Sequence, residues 1–524
     1  MGDATVGDDA EAVFGGAIVV LLPATISSGL HEAMIVDGRH RLIAWQLLID
    51  AARRAMKQQG AAMVARTLDA LLENPAGATK TDEQRRVVMP SVPDRDEFID
   101  RLTLDPALLS AEPRQRSGMA GTHAWLLDAA QEWLARGEPV DRAQRLARVI
   151  SHRLSVIVIE ARAEDNPLSI ARQLGSGSPG LSAIHIVGQT LLDSLGLPAD
   201  ASSRAYQALL APFMDDWWRA PVDGSPRAEP RNEQLLRAWI MARTMRVVHP
   251  MDLAPAFQRY LKISTVPPLD LLGRLRDEGV RLRALLESAV DPETDDDYRA
   301  TFLYRMSALG SAEAIAVMMW LDADERASLT DEQRRTILAT VESSVVRRAL
   351  TGLPHFGVGA GGQALLSWLA QRPAHQVSGL LPSVIATQRH DEHYWPTDDD
   401  LRLVLPSRPI ALELSEASAR VILEALAEDE LGYGTLSRAT CRVALRYDAP
   451  SGDQEMMPLL RHVLGNLVLL GAWPADDHEA DVTRRTSELI ERCVRIWPGP
   501  PNAVDLAGAS GISDELDDTV AWNT

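Results

Sequence analysis

Five consecutive residues, Asp37, Gly38, Arg39, His40 and Arg41, set an acid, a glycine, an imidazole and two guanidinium groups between two apolar runs. Two kinds of chemistry suit such a set. Arginines offer forked donors that match phosphate oxygens, and a carboxylate beside them can hold a metal ion or polarise a water. Residues 34–36 read as the end of a strand, Asp37-Gly38 as a tight turn, and residues 42–54 as a helix. Arg39, His40 and Arg41 then fall at the helix N-terminus, where unpaired N–H groups and the helix dipole favour an anion. The same pattern also suits an Asp-Gly turn in which an arginine pairs locally, and spacing alone leaves both readings open.

The elements that must position these residues are mixed. Runs rich in Val and Ile at 12–22 (AVFGGAIVVLL), 33–38 (AMIVDG) and 154–162 (LSVIVIEAR) predict strands. All three lie near the N-terminal end, so that part reads as α/β. Elsewhere helical periodicity dominates, with apolar residues three and four apart at 60–73 (GAAMVARTLDALLE), 233–247, 311–321 and 332–350. Polar, Pro- or Gly-rich breaks near 75–93, 220–232, 288–297 and 387–400 mark loops or boundaries. A chain of 524 residues has room for about three or four domains of ordinary size.

Composition narrows the function classes. With 46% hydrophobic and 24% charged residues the chain has the make-up of an ordinary folded protein. A formal net charge of −20 argues against nonspecific nucleic-acid binding over a basic surface, though it allows a local basic groove. The two cysteines, Cys441 and Cys493, exclude a disulfide framework and fit a reducing compartment. The N-terminal MGDATVGDDAEA is acidic, without a signal-peptide n-region, and AIVVLLPATI at 17–26 is too short to span a bilayer. The expectation is a cytoplasmic protein with no membrane partner.

Other motif-like matches are weak. GVGAGG at 357–362 has dinucleotide-fingerprint spacing but follows a helical pattern rather than a strand, which makes it a loop. The sequence contains no P-loop, no His-Glu-x-x-His and no Cys-x-x-Cys. Acidic runs at 94–100 and 397–400 read as solvated surface or helix caps.

The stretch IVDGRHRLIAWQLLIDAA resembles the Asp-Gly-Gln-Gln-Arg-Leu-Thr-Thr-Leu element of the GmrSD-type family, the bacterial type IV restriction proteins of phage defence. Collinear stretches resemble further family elements: VFGGAIVVLL before it, then LLEN at 71–74, VMPSVPDRDEFIDRL at 88–102 and AEDNPLSIARQLGSGSPGLSAIHIVGQTLL at 163–192. VESSVVRRALTGL at 341–353 is similar to the family's arginine-pair helix, and WPTDDDL at 395–401 to its Trp-Pro-Ser-Asp element. RHVLGNLVLL at 461–470 and VTRRTSELIERCVRIWP at 482–498 resemble the HNH-type nuclease half.

The resemblance implies an α+β, mostly helical protein in three parts. Residues 1–195 would form a ParB/sulfiredoxin-like α/β N-terminal domain with a helical insertion, 196–420 a helical domain, and 421–524 a small, degenerate HNH-like (ββα) domain. The implied ligand is a nucleoside triphosphate, with Mg²⁺ as its optional companion, and the implied partner is modified DNA. A separate nuclease subunit or a second copy of the chain is a further implied partner. Carried over by position, Asp37, Gly38 and Arg41 match the family motif, while Arg39 and His40 replace its two glutamines. All five residues would contact nucleotide, and Asp37, His40 and Arg41 would do any chemistry. Gly-Arg-His-Arg is close to the Gly-x-His-Arg of ParB-like proteins, which preserves phosphate binding and leaves hydrolysis open.

Two departures shape the expectation. The Ile-Pro-x-Tyr-Gln-Arg segment that precedes the first strand in family members has no counterpart here. In the nuclease half, CRVALRYDAP at 441–450 aligns with the strand that should carry Glu-His-Ile-x-Pro and holds no histidine. The Glu392-His393 pair lies far upstream, and His478 sits in the acidic PADDHEAD stretch. His462 and Asn466 are what remains of that site, of unknown metal-binding capacity, and the expectation is an inactive nuclease. The alternative is a non-catalytic DNA- or protein-binding regulatory module of the same descent.

Overall fold

A computed structural model describes residues 13–501 apart from 23–29, 31, 80–83, 91, 104–117, 163–164, 166–169, 171–182, 196, 198, 223–228, 291–296, 324–325, 355–359, 388–393, 433–435, 447–459 and 473–481. The chain is mostly helical with small sheets, an α+β arrangement, and divides into two compact units, Met1–Leu209 and Leu210–Thr524. The expected boundary at 420 falls inside a continuous helix, Glu416–Leu431. Among the described residues no helix is long and apolar enough to cross a membrane.

The first unit opens with strand β1 (Val13–Leu21), followed by β2 (Met34–Asp37) and the twenty-residue helix α1 (Arg39–Gln58). Helices α2 (Ala62–Ala65), α3 (Val92–Thr103), α4 (Met119–Leu134) and α5 (Pro139–His152) lead to β3 (Leu154–Ala161). The described strands of this unit form one sheet in the order β2-β1-β3. β2 runs antiparallel to β1, pairing Val20 with Ile35, and β3 runs parallel to it, pairing Ile18 with Val158. The β1–β3 register shifts between Phe14 and Ala17, at the Gly15-Gly16 pair.

Helix α1 is the spine of this unit. Its buried positions Ile43, Gln46, Leu47, Asp50, Ala51 and Met56 recur at helical spacing. One side packs Ile49, Ala52, Ala55 and Met56 with Leu68, Leu134, Leu146 and Ile150. Ile43 and Leu47 meet Phe98 and Leu102 of α3 in a second cluster. The expected helix at 60–73 is realised only in part: α2 ends at Ala65 and the chain tightens into a 3₁₀ turn from Arg66 to Leu71. Gln46 of α1 donates to the Leu71 carbonyl at 2.9 Å, so a neighbouring side chain serves an acceptor left at that turn's end.

Elements of the second unit used below are α6 (Pro268–Val290), α7 (Tyr298–Ala308), α8 (Asp331–Thr351), α9 (Asp398–Val404) and α10 (Glu416–Leu431). They are followed by β4 (Arg442–Leu445), β5 (Leu467–Leu470) and α11 (Val482–Ile496). Helix α8 begins with a capping box between Thr330 and Gln333 and stops at Gly352, whose φ of 83° ends the helix in the left-handed conformation. β4 and β5 pair antiparallel, with Val443 opposite Leu469.

Candidate functional site

The Asp37 to Arg41 stretch forms the strand, turn and helix start that its sequence predicts. Gly38 sits at φ 89° and ψ 7°, and a Cβ there would lie 2.3 Å from Ile18 Cγ2 on β1. Both conformation and space therefore require glycine. The first turn of α1 carries no acidic residue and no side-chain cap, and the bond from Leu42 N–H to the Gly38 carbonyl, at 3.0 Å, opens the helix. Such an N-terminus presents its early N–H groups, with the positive end of the dipole, to a ligand.

Arg41 reaches back over β1. Its Nη1 donates to the Gly15 carbonyl at 3.2 Å, while Nη2 stands 3.5 Å from Asp37 Oδ2. Asp37 is 3% exposed, and its Oδ2 accepts no hydrogen bond among the described residues. Room for this arrangement comes from the glycine pair of β1. A Cβ on Gly16, at φ 92°, would fall 2.1 Å from Arg41 Nη1, and one on Gly15 would fall 2.0 Å from the Trp45 ring.

His40 follows in the first turn. Burial, then the Arg39 charge, lower its pKa from the ordinary value of 6.5, and Asp94 of α3 offsets part of the effect. The imidazole is therefore neutral at pH 7, able to donate at one nitrogen and accept at the other. The structure thus gathers Asp37, Gly38, His40 and Arg41 with the Gly15-Gly16 bulge and the start of α3, three of the stretches that carry the resemblance. Of the fourth, LLEN, Asn74 ties its own loop, donating to the Gln84 and Arg86 carbonyls at 2.9 and 3.0 Å.

Sequence reasoning missed a buried ionic network about three turns along α1. Asp50, fully buried, receives Arg53 Nη2 and Arg54 Nε at 2.6 Å each and pairs with His123 Nε2 of α4 at 2.9 Å. Arg53 also reaches Asp69 at 3.1 Å, and Arg54 donates to the Arg101 carbonyl of α3 at 3.0 Å. Burial alone would raise the Asp50 pKa, but the bond to His123 and the two arginine charges outweigh it and hold the carboxyl below its usual range. The Asp-x-x-Arg-Arg spacing was visible in the sequence. The partner 73 positions away was not.

In the second unit three further stretches converge on one side chain. Arg347, on α8 and fully buried, donates to the carbonyls of Trp497 (2.6 Å) and Pro396 (3.0 Å) and to Asp398 (2.6 Å). Ser343, one turn earlier, donates to the Pro498 carbonyl at 2.6 Å and accepts from Trp395 Nε1 at 3.3 Å. The arginine-pair helix, the Trp-Pro element and the end of α11 are thus one packed junction.

Around β4 and β5 the geometry is that of a braced turn. Gly465 lies so close to α11 that a Cβ would be 2.4 Å from the Val482 carbonyl. Asn466 is fully buried, with Nδ2 donating to the Arg461 carbonyl at 2.7 Å, and its own carbonyl accepts from Arg446 N–H at 2.9 Å. Arg485 of α11 donates to the carbonyls of Gly465 and Leu467 at 2.7 and 2.6 Å. His462 is half-buried, and its Nδ1 has no hydrogen-bond partner among the described residues. Among the described residues no three His, Cys, Asp or Glu side chains are grouped to hold a metal ion. Residues 357–359 of the GVGAGG stretch, Glu392, His393 and His478 lie outside the described residues, as does most of 163–182. No protein-family model matches the chain, and no curated protein sequence matches it.

Proposed function

We propose that the Met1–Leu209 unit binds a nucleoside triphosphate at Asp37, Gly38, Arg39, His40 and Arg41, in a restriction-like defence role directed at modified DNA. The observation that carries this reading is a buried carboxylate with an unbonded oxygen, Asp37 Oδ2, beside the uncapped N-terminus of α1 and the Arg41 guanidinium. Phosphate oxygens suit the N–H groups and the arginines of this turn, and neutral His40 adds one donor. Mg²⁺ carried by the triphosphate would neutralise phosphate charge, and Asp37 would be the carboxylate of this turn to hold it. On this reading the unit is the ParB/sulfiredoxin-like domain. The Leu210–Thr524 unit then combines the helical middle with a degenerate ββα half, in which His462 and Asn466 brace a turn. Cutting DNA would fall to a partner nuclease subunit.

One observation favours a non-catalytic binding or regulatory module instead: Arg41 already bonds Gly15 and faces Asp37. Calorimetry with ATP, GTP, CTP and UTP, with and without Mg²⁺, on the wild type and Arg41→Ala separates the two readings. Removing one charge-assisted bond should weaken binding by roughly tenfold to a hundredfold. Equal affinities in the two proteins, or no binding to either, would leave the turn as a structural element.

A further inference from the structure

The second unit holds a further group of buried charges, which touches the Arg347 junction through Glu342, the acceptor of Trp497 Nε1 at 2.9 Å. Glu424 and Glu428 lie one turn apart on α10 and are both buried. Glu428 is well provided: Arg438 donates to its Oε1 through Nε at 3.0 Å and Nη2 at 2.6 Å, and Arg305 of α7 approaches Oε2 at 3.5 Å. Arg438, 2% exposed, also donates to the Ala289 carbonyl of α6 at 2.6 Å. It is therefore the peg that fixes the 436–441 segment, and with it the start of β4, to the helices.

Glu424 has poorer company. The Tyr304 hydroxyl of α7 is 3.4 Å from Oε1, Arg420 Nε on its own helix is 3.8 Å away, and Oε2 is buried without a hydrogen bond among the described residues. Arg305 is held first by Glu342 of α8, at 2.7 Å. The charged and titratable groups around Glu424 are thus Tyr304 and Arg305 from α7, Arg420 and Glu428 from α10, and Arg438 and Cys441 from the segment before β4. Ionised, Glu424 would compete with Glu428 for Arg438. Protonated, it leaves Arg438 to Glu428 and removes a buried charge.

We propose that Glu424 is a proton-operated latch: its neutral form seats the 436–446 segment on α7 and α10, and its ionised form loosens that segment together with the β4–β5 pair. Burial pushes the Glu424 carboxyl up to about 7, so the latch would operate near neutrality. Because this carboxyl titrates higher in the closed form than in water, the closed form is favoured at low pH. The advantage fades as pH rises through about 7 and then levels off.

Amide hydrogen exchange of β4 and β5 in the full chain, corrected for intrinsic rates, tests this between pH 5 and pH 8. Opening should increase by about tens of fold across that range, as a carboxyl raised from its ordinary value to about 7 requires. Glu424→Gln should abolish the dependence and keep the strands protected at pH 8. Tyr304→Phe, which removes the hydroxyl that favours the ionised form, should move the midpoint to higher pH. Identical profiles for the wild type and Glu424→Gln, or a midpoint unmoved in Tyr304→Phe, would overturn the latch.

Discussion

The Arg41 guanidinium occupies the space that a side chain on Gly16 would need, since a Cβ on Gly16 would lie 2.1 Å from Nη1. A bulge in β1 and an arginine in the first turn of α1 are therefore matched parts. Gly16→Ala should displace Arg41 from the Gly15 carbonyl and strain a backbone at positive φ, at a stability cost of about 1–3 kcal/mol. Thermal denaturation measures the cost. Calorimetry should show triphosphate binding about tenfold weaker if Arg41 needs its present position. A variant as stable as the wild type would show that the bulge is more pliable than this geometry implies.

The Asp50 network carries a pH signature. Its carboxyl titrates below the ordinary aspartate value, so its stabilisation is present above about pH 4 and is lost as pH falls through the lowered value. Asp50→Asn removes the carboxylate that Arg53, Arg54 and His123 share and should cost about 3 kcal/mol at pH 7, the lower end for a broken buried pair. Urea unfolding followed by exchange of α1 peptides should show the gap between variant and wild type closing below about pH 4. A gap constant with pH would assign the effect to packing alone.

Arg347 joins three stretches distant in sequence, and its removal should be felt at all of them. Arg347→Met strands the Trp497 and Pro396 carbonyls and the Asp398 carboxylate, at about 3–5 kcal/mol. Deleting residues 497–524 removes the Trp497 and Pro498 acceptors of Arg347 and Ser343. The combined variant should lose less than the sum of the two single changes, because they break one shared set of bonds. Additive losses in urea midpoints would separate the junction into independent parts.

Cleavage of DNA by the chain alone is not expected. The Asn466 side chain is committed to the Arg461 carbonyl, and the described residues offer His462 no grouped metal ligands. A net charge of −20 adds long-range repulsion toward a polyanion. Incubation with unmodified, hydroxymethylated, glucosylated and phosphorothioated DNA, with Mg²⁺ or Mn²⁺, should leave each substrate intact. Cutting that disappears in His462→Ala would reveal a working site at the β4–β5 turn.

Local signals were readable and long-range ones were not. The β-branched runs foretold β1, β2 and β3, and Asp-Gly between a strand pattern and an amphipathic pattern announced α1, which begins at Arg39, three residues before the expected Leu42. The bulge was hidden, because two glycines inside a valine-rich run look the same whether they bend a strand or only weaken it. The split of 60–73 depends on Gln46, which no periodicity reports. Likewise the division near 209 gives no compositional sign, and α10 runs on through position 420 because its faces serve the helices and β4–β5 alike.

The parallel pairing of β1 with β3 sets a timetable for synthesis. Leu21 and Leu154, the facing ends of the two strands in sequence, are 133 positions apart (154 − 21). At ribosomal speeds of about 5–20 residues per second, β1 waits on the order of ten seconds for its parallel partner. Until then an apolar strand, VFGGAIVVL, has β2 and the emerging α1 as its available cover. Chaperone capture of the nascent chain should therefore concentrate on chains stalled before residue 154 and fall away once β3 has cleared the exit tunnel.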